Sequence, residues 1–386
     1  MMKIHARRYD TGQAISLEVC VQRGTVTSIE SLADADLDVH SPLPWIAPGF
    51  VDLQVNGYAG NELTSGDLKT DGVAKLSHEI GSLGVTQFLP TVTTHSEAVL
   101  GHALKTIAAA VEQSADVARF VAGIHLEGPF ISPEDGPRGA HPYEHIQPPA
   151  WELFCRLQDA AGGRIRLVTL APEYPETPEF IQRAVGDGVV VAVGHTRADS
   201  AQIAAAVSAG ASLSTHLGNG AHPRLPRHPN YIWDQLADDR LAASLIVDGH
   251  HLPPAVVKSF VRAKTPDRCI LVSDLTGMAG MPAGKYADTS LGDVDILEDG
   301  RLVVAGQTEL LAGASQPISV GIGNVMRFAG VDLSTAVDMA TRHPARLINC
   351  RLGVFEPNAP ADFVLFEMDD EGSIRVRQTV VCGQQM

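Results

Sequence analysis

The chain has 386 residues, 45% of them hydrophobic, and its 29 Lys and Arg against 45 Asp and Glu leave a formal net charge of −16, which offers nothing to offset phosphate repulsion and argues against a nucleic-acid partner. Five scattered cysteines with no C-x-x-C pair exclude a disulfide framework and a zinc knuckle. The N-terminal MMKIHARRYD lacks the apolar core of a signal peptide and no apolar run is long enough to span a membrane, so a cytoplasmic protein with a small-molecule partner is expected.

Residues 1 to about 48 read as β structure. Ile15, Leu17, Val19 and Val21 alternate with polar residues, the period of two that marks a half-buried strand. Arg23-Gly24 supplies a turn, and Val26 with Ile29 starts a partner strand. The C-terminus has the same character at Phe363–Phe366, Ile374, Val376, Val380 and Val381. Neither end is large enough for its own core. Both ends (1–48 and 354–386) are therefore expected to meet in one small β-sandwich, with a larger domain at 49–353 inserted between them.

From Trp45 the pattern changes. Apolar strand candidates at Phe50–Val55, Thr86–Val92, Phe120–Ile124, Ile165–Leu170, Val189–Val193, Leu213–Thr215, Ala242–Val247 and Cys269–Val272 alternate with amphipathic segments. Val73, Leu76, Ile80 and Leu83 share one helical face, which Gly84 ends. Leu100, Leu104, Ile107 and Val111 share another, with Ser96 as its N-cap. Eight strands alternating with helices read as an α/β fold, a (β/α)8 TIM-like barrel. A doubly wound open sheet is the alternative, but no G-x-G-x-x-G follows the first strand.

Enzymes on this scaffold keep their chemistry at the carboxyl ends of the strands. Four strands here run apolar and then reach a ligand-type residue: Glu127, His195, His216 and Asp274. A lone carboxylate or histidine at such a place also serves as a cap or a buried structural group. Together, one Glu and two His have the composition of a catalytic zinc-type site, three protein ligands with room for water. An Asp on the last strand end is placed to shuttle a proton. The first strand ends on Gln54-x-Asn56, whose amides hydrogen-bond but are poor ligands for a divalent ion. The loop after His216, LGNGAHPRLPRHPN, carries Asn219, Gly220, His222, Arg224, Arg227 and His228. These donors would suit an anion such as phosphate, or simply face water.

HLEGPF at 125–130, GAH at 139–141, LAPE at 170–173, GH at 194–195, THL-x-N at 215–219, DG-x-H at 248–251, SD at 273–274 and LAG at 311–313 occur in this order. Together they resemble the N-acetylglucosamine-6-phosphate deacetylase family of the amidohydrolase superfamily, from about Pro48 to Ala314. A weaker match continues over His343–Gly353 and ADFVLF at 361–366.

The resemblance implies metal-assisted amide hydrolysis by a homodimer acting on an amino-sugar phosphate. It implies Glu127, His195 and His216 as ligands of one divalent ion, zinc, and Asp274 as the acid/base. It also implies substrate contacts from Ala140, His141, Asn219, Gly220, Arg227, Asp248, His251, Leu311, Ala312 and Gly313. Gln54-x-Asn56 replaces the H-x-H of two-metal relatives, which implies a single ion. The chain departs from the family at Gly220, usually Ala, and at Arg227-His228-Pro229-Asn230, usually R-E-P-G. These changes lie on the loop that the resemblance assigns to the phosphate. They leave open another epimer or an unphosphorylated acyl amine as substrate. A non-catalytic barrel relative is a further alternative, though such chains typically lose their ligands.

Overall fold

The computed structural model describes residues 1–33, 43–289, 291–307 and 311–386. The stretch 34–42 of the N-terminal β reading lies outside them. The N-terminal strands are β1 (Met2–Arg8), β2 (Ala14–Cys20), β3 (Thr25–Ser31) and β4 (Trp45–Pro48). β5 (Phe50–Val55) opens the barrel, and the short pair β6 (Gly57–Tyr58) and β7 (Asn61–Glu62) follows it. The other barrel strands are β8 (Val85–Thr93), β9 (Ile124–Glu127), β10 (Ile165–Leu170), β11 (Val190–Val193), β12 (Leu213–Ser214), β13 (Ala242–Leu245) and β14 (Cys269–Leu271). Next come β15 (Gly284–Thr289), β16 (Gly292–Ile296), β17 (Leu302–Val304) and β18 (Leu311–Gly313). The chain closes with β19 (Phe363–Met368), β20 (Ile374–Val381) and β21 (Gln384–Gln385).

β5 and β8–β14 form one parallel eight-stranded sheet in sequential order. Its two edges are joined by a parallel bridge between Val55 and Leu275, by Asp274 N–H donating to Gln54 O at 3.0 Å and by Asn56 N–H donating to Leu275 O at 2.8 Å. The barrel is closed by the residues flanking its chemistry. Val51, Leu53, Leu89, Leu167, Ala192, Leu213, Ile246 and Ile270, drawn from strands around the ring, pack against one another and fill its interior. A larger apolar cluster joins the outer strand faces to the helices.

The helical readings match their caps. α1 spans Thr70–Ser82 and buries Val73, Leu76 and Ile80; α2 spans Glu97–Gln113, and the Ser96 side chain accepts from Val99 N–H. The expected strand at Phe120–Ile124 differs. Ser114 caps a short helix α3 (Ala115–Phe120), which buries Val117 and Phe120, and the strand begins only at Ile124. An i, i+3 pair of apolar residues after a capping Ser is helical spacing, and it overrides the local apolar run.

Both chain ends meet in one seven-stranded sheet of order β21-β20-β19-β4-β1-β2-β3. Asp362 fixes this sheet to the barrel. Its buried carboxylate accepts from Arg351 Nε and from Cys382 N–H at 2.6 Å, and its carbonyl accepts from Gly49 N–H at 3.0 Å. Arg351→Met leaves that carboxylate without its charged partner. The expected cost is about 2–4 kcal/mol, discounted because the Arg is partly solvated, and it is read as a lower urea midpoint at unchanged slope.

The sequence reading does not anticipate the four-stranded antiparallel sheet β15–β18, inserted between the last barrel strand, β14, and the helix at Ile318–Ala329. It matters because it walls the site.

Candidate active site

Glu127 ends β9, and His195, His216 and Asp274 lie just past β11, β12 and β14. The last three have left-handed backbones, with φ of 49°, 27° and 54°. Such conformations are costly for side-chain-bearing residues and cluster where function demands a particular aim. Here the chain turns off the sheet and directs each side chain over the barrel mouth.

The three ligand-type groups converge. Glu127 Oε1 lies 3.2 Å from His195 Nε2 and 3.0 Å from His216 Nε2, and the two Nε2 atoms are 3.1 Å apart. All three residues are buried. His195 Nδ1 is 2.8 Å from Pro137 O, a group that only accepts, so Nδ1 carries a proton and Nε2 is the nitrogen turned to the cluster, a lone pair in the neutral ring. A carboxylate and an imidazole lone pair at this separation repel unless a proton or a cation lies between them. Two imidazole nitrogens and a carboxylate oxygen are also the donors a divalent transition ion takes. The cluster therefore fits a metal.

His141 stands beside these groups. A ligand atom of His141 lies within 4.8 Å of those of Glu127 and His195, and its ring is T-shaped against His195 at 4.4 Å. The tighter contacts favour His216 as the third donor, because His141 Nδ1 is engaged by Thr94 Oγ1 at 2.8 Å. Burial, then the neighbouring His195, pushes the His141 imidazole down to about 3.

The charges sort the two carboxylates. Burial alone would raise Glu127, but the hydrogen-bonding imidazoles of His195 and His216 hold it well below the usual carboxylate range. Asp274 goes the other way, pushed up to about 6 by burial and by the negative charge of Glu127. The first-strand amides act on both. Gln54 Nε2 donates to Glu127 Oε1 at 2.9 Å, and Asn56 Nδ2 donates to Asp274 Oδ1 at 2.7 Å. The sequence reading saw in them poor ligands; the structure uses them to orient the carboxylates.

These groups sit in a cavity of about 900 Å³. Ala140, His141, Asn219, Gly220, His251, Leu311, Ala312 and Gly313 line it with Glu127, His195, His216 and Asp274. Asp248 does not line it but fixes the turn that does: Oδ1 accepts from His250 and His251 N–H at 2.8 and 2.9 Å, and Oδ2 accepts from His251 Nδ1 at 2.7 Å. Arg227 is exposed and is not among the lining residues. Asn230 on the same loop is committed elsewhere, because its Oδ1 caps the following helix by accepting from Ile232 and Trp233 N–H. The lining also includes His95, His250, Leu291 and Arg301, which the sequence reading did not single out.

The comparisons agree with this geometry. The chain is 34% identical over 350 residues to the N-acetylglucosamine-6-phosphate deacetylase of Bos taurus, covering 88% of this chain and 82% of that one. It is 30% identical over 363 residues to the N-acetylgalactosamine-6-phosphate deacetylase of Escherichia coli O157:H7, covering 94% and 92%. The structure of a variant N-acetyl-D-glucosamine-6-phosphate deacetylase from Mycobacterium smegmatis, in complex with N-acetyl-D-glucosamine-6-phosphate, superposes with a TM-score of 0.85 at 28% identity, covering 100% of this chain and 98% of that one. The Amidohydrolase family model matches residues 45–386. By sequence and by fold, the chain belongs to the amidohydrolase family.

Proposed function

We propose that the protein hydrolyses the N-acetyl amide of an amino-sugar 6-phosphate, N-acetylglucosamine 6-phosphate first, releasing acetate and the free amine. The observation that carries this reading is the convergence of Glu127, His195 and His216 within 3.2 Å, with Asp274 beside them at the mouth of the barrel.

The proposed cofactor is one zinc ion held by Glu127, His195 and His216. Gln54 and Asn56, where a second site would need ligands, are already bonded to Glu127 and Asp274. When bound, such an ion lowers the pKa of water and polarises the acyl carbonyl. The chain supplies the proton handling. Asn56 occupies Oδ1 of Asp274, leaving Oδ2 to take the proton of the attacking water. Asp274 then returns that proton to the nitrogen as the C–N bond breaks. If Thr94 Oγ1, 2.8 Å from His141 Nδ1, is the donor of that hydrogen bond, the neutral ring carries its proton on Nε2, which can donate to the developing oxyanion. Asn219, Gly220, His251 and the Leu311–Gly313 strand are the proposed sugar contacts, with Ala140 beside His141. Arg227 does not reach this cavity from its own chain.

A panel of N-acetyl hexosamines, with and without 6-phosphate, tests the reading. Acetate release is expected with kcat/KM at least about a hundredfold higher for the phosphorylated sugar. Absence of acetate release from every member sinks it. The galactosamine epimer belongs in the panel, since relatives of both names align over most of the chain.

Gly220 links sequence to site. Its φ is 54°, and a Cβ there would lie 2.7 Å from His195 Nδ1 and 2.9 Å from Cε1. Gly220→Ala is expected to displace His195 and weaken metal binding by about tenfold or more, measured by chelator competition. Unchanged affinity would show that the ring can yield without loss.

The same reading assigns residues 49–353 to the catalytic barrel and 1–48 with 354–386 to the small β domain. It takes the working form as a cytoplasmic homodimer, which sedimentation tests. Among the described residues no helix is long and apolar enough to cross a membrane.

A further inference from the structure

Beside each of the three proposed ligands stands a buried residue that the chemistry does not use. His125 comes two residues before Glu127 on β9, so alternation along the strand turns both side chains to the same face. Thr169 on β10 lies beside Glu127 in the strand register. Gly194 and Thr215 immediately precede His195 and His216. His125, Thr169 and Thr215 are all buried, and none of the four residues lines the active-site cavity.

The three side chains bond to one another. His125 Nε2 is 2.8 Å from Thr169 Oγ1, and Thr169 Oγ1 is 2.7 Å from Thr215 Oγ1. The His125 ring also hydrogen-bonds the Leu53 backbone on β5. β11 lies between β10 and β12 in the sheet, so the Thr169–Thr215 bond crosses it. Gly194 permits the crossing. A Cβ there would lie 2.7 Å from Thr215 Cβ and 2.8 Å from Thr169 Cγ2, closer than carbon atoms pack. Ser244 on β13 carries the layer further: its hydroxyl donates to Ser214 O at 3.2 Å and accepts from His216 N–H at 2.7 Å. A polar belt thus runs from β5 to β13 beneath the ligands.

The rest of the barrel interior is apolar. Hydroxyls buried there are costly unless each finds a partner, and once paired they fix the separation of the strands that carry them. The turns at His195 and His216 need such fixing. Their φ values of 49° and 27° are strained, and strained backbones persist where their surroundings over-determine them.

We propose that the Thr169–Thr215 bridge, anchored on His125 and admitted by Gly194, is a positioning layer that sets the spacing of Glu127, His195 and His216 for their metal ion. The inference rests on the metal-centre reading above and deepens it, extending the site one layer into the barrel.

The test is Co2+ binding by the full-length, metal-stripped protein, because the visible spectrum of Co2+ reports the geometry of its ligands. No sugar is needed. Thr169→Val removes the hydroxyl and keeps the branched shape. It is expected to weaken Co2+ about tenfold or more in chelator competition and to shift the visible bands. Thr169→Ser keeps the hydroxyl and is expected to bind within about threefold of the wild type, with the wild-type spectrum. Thr215→Val breaks the same bond from its other end, is expected to match Thr169→Val, and carries the test should that variant not fold. The double Val variant is expected to lose little more than either single one. Wild-type affinity and spectrum in the Val variants overturn the inference, whatever happens to their Tm. So do losses that simply add in the double variant, or a loss that Thr169→Ser does not restore. A wild type that takes up no Co2+ overturns the metal-centre reading and the inference with it.

Discussion

Asp274→Asn is expected to lower kcat by about a thousandfold or more while the protein retains its metal. The substitution is chosen on structural grounds. Asp274 sits at φ 54°, a conformation that Asn tolerates better than most residues. An amide oxygen can still accept from Asn56 Nδ2, which bonds Asp274 Oδ1 at 2.7 Å. The backbone bond from Asp274 N–H to Gln54 O, which helps close the barrel, is untouched. The side chain loses only its ability to take a proton. Asp274→Ala would be harder to interpret, because it adds backbone strain and leaves Asn56 without its acceptor. Near-normal turnover in Asp274→Asn would hand the proton to another group of the cavity, such as His141.

The strand ends were the legible part of the chain. An apolar run that stops at a Glu or a His carries its own address on a barrel, and Glu127, His195, His216 and Asp274 do converge at one mouth. What makes them converge was not legible. The left-handed backbones of His195, His216 and Asp274 are glycine-like conformations at residues that give no sign of them in sequence. Gln54 and Asn56 looked like strand-end caps because their partners, Glu127 and Asp274, are distant in sequence. The inserted sheet did leave a signal. Asp299-Gly300 stands between Val294 and Ile296 on one side and Leu302 and Val303 on the other, a turn dipeptide between apolar alternations. That signal was absorbed into the barrel reading. The loop after β12 is a different case. A cluster of donors in sequence says nothing about which way a loop faces, and Arg227 faces solvent while Arg301 faces the cavity.

His216→Ala and Glu127→Gln are expected to remove bound metal and activity together, each weakening the metal by about a hundredfold or more. The two variants fail for different reasons, which makes the pair informative. His216 holds its turn through the backbone: its N–H donates to Ser244 Oγ at 2.7 Å, and its carbonyl accepts from Asn219 N–H at 2.9 Å. Truncating the ring therefore removes a nitrogen donor and leaves the loop its hydrogen bonds. Glu127→Gln keeps the shape and an acceptor for Gln54, which donates to Oε1 at 2.9 Å, but removes the one negative charge among the three donors. A neutral amide is a poor ligand beside two imidazoles. Elemental analysis should find one equivalent of metal in the wild type and little in either variant. Thermal unfolding supplies the second measurement. Adding zinc to the metal-stripped wild type should raise Tm, because binding to the folded state alone stabilises it, and should move neither variant comparably. Two tightly held ions per wild-type chain would sink the single-ion assignment. Full metal content in inactive His216→Ala would remove His216 from the ligand set and leave His141, already within 4.8 Å of the Glu127 and His195 donors, as the third.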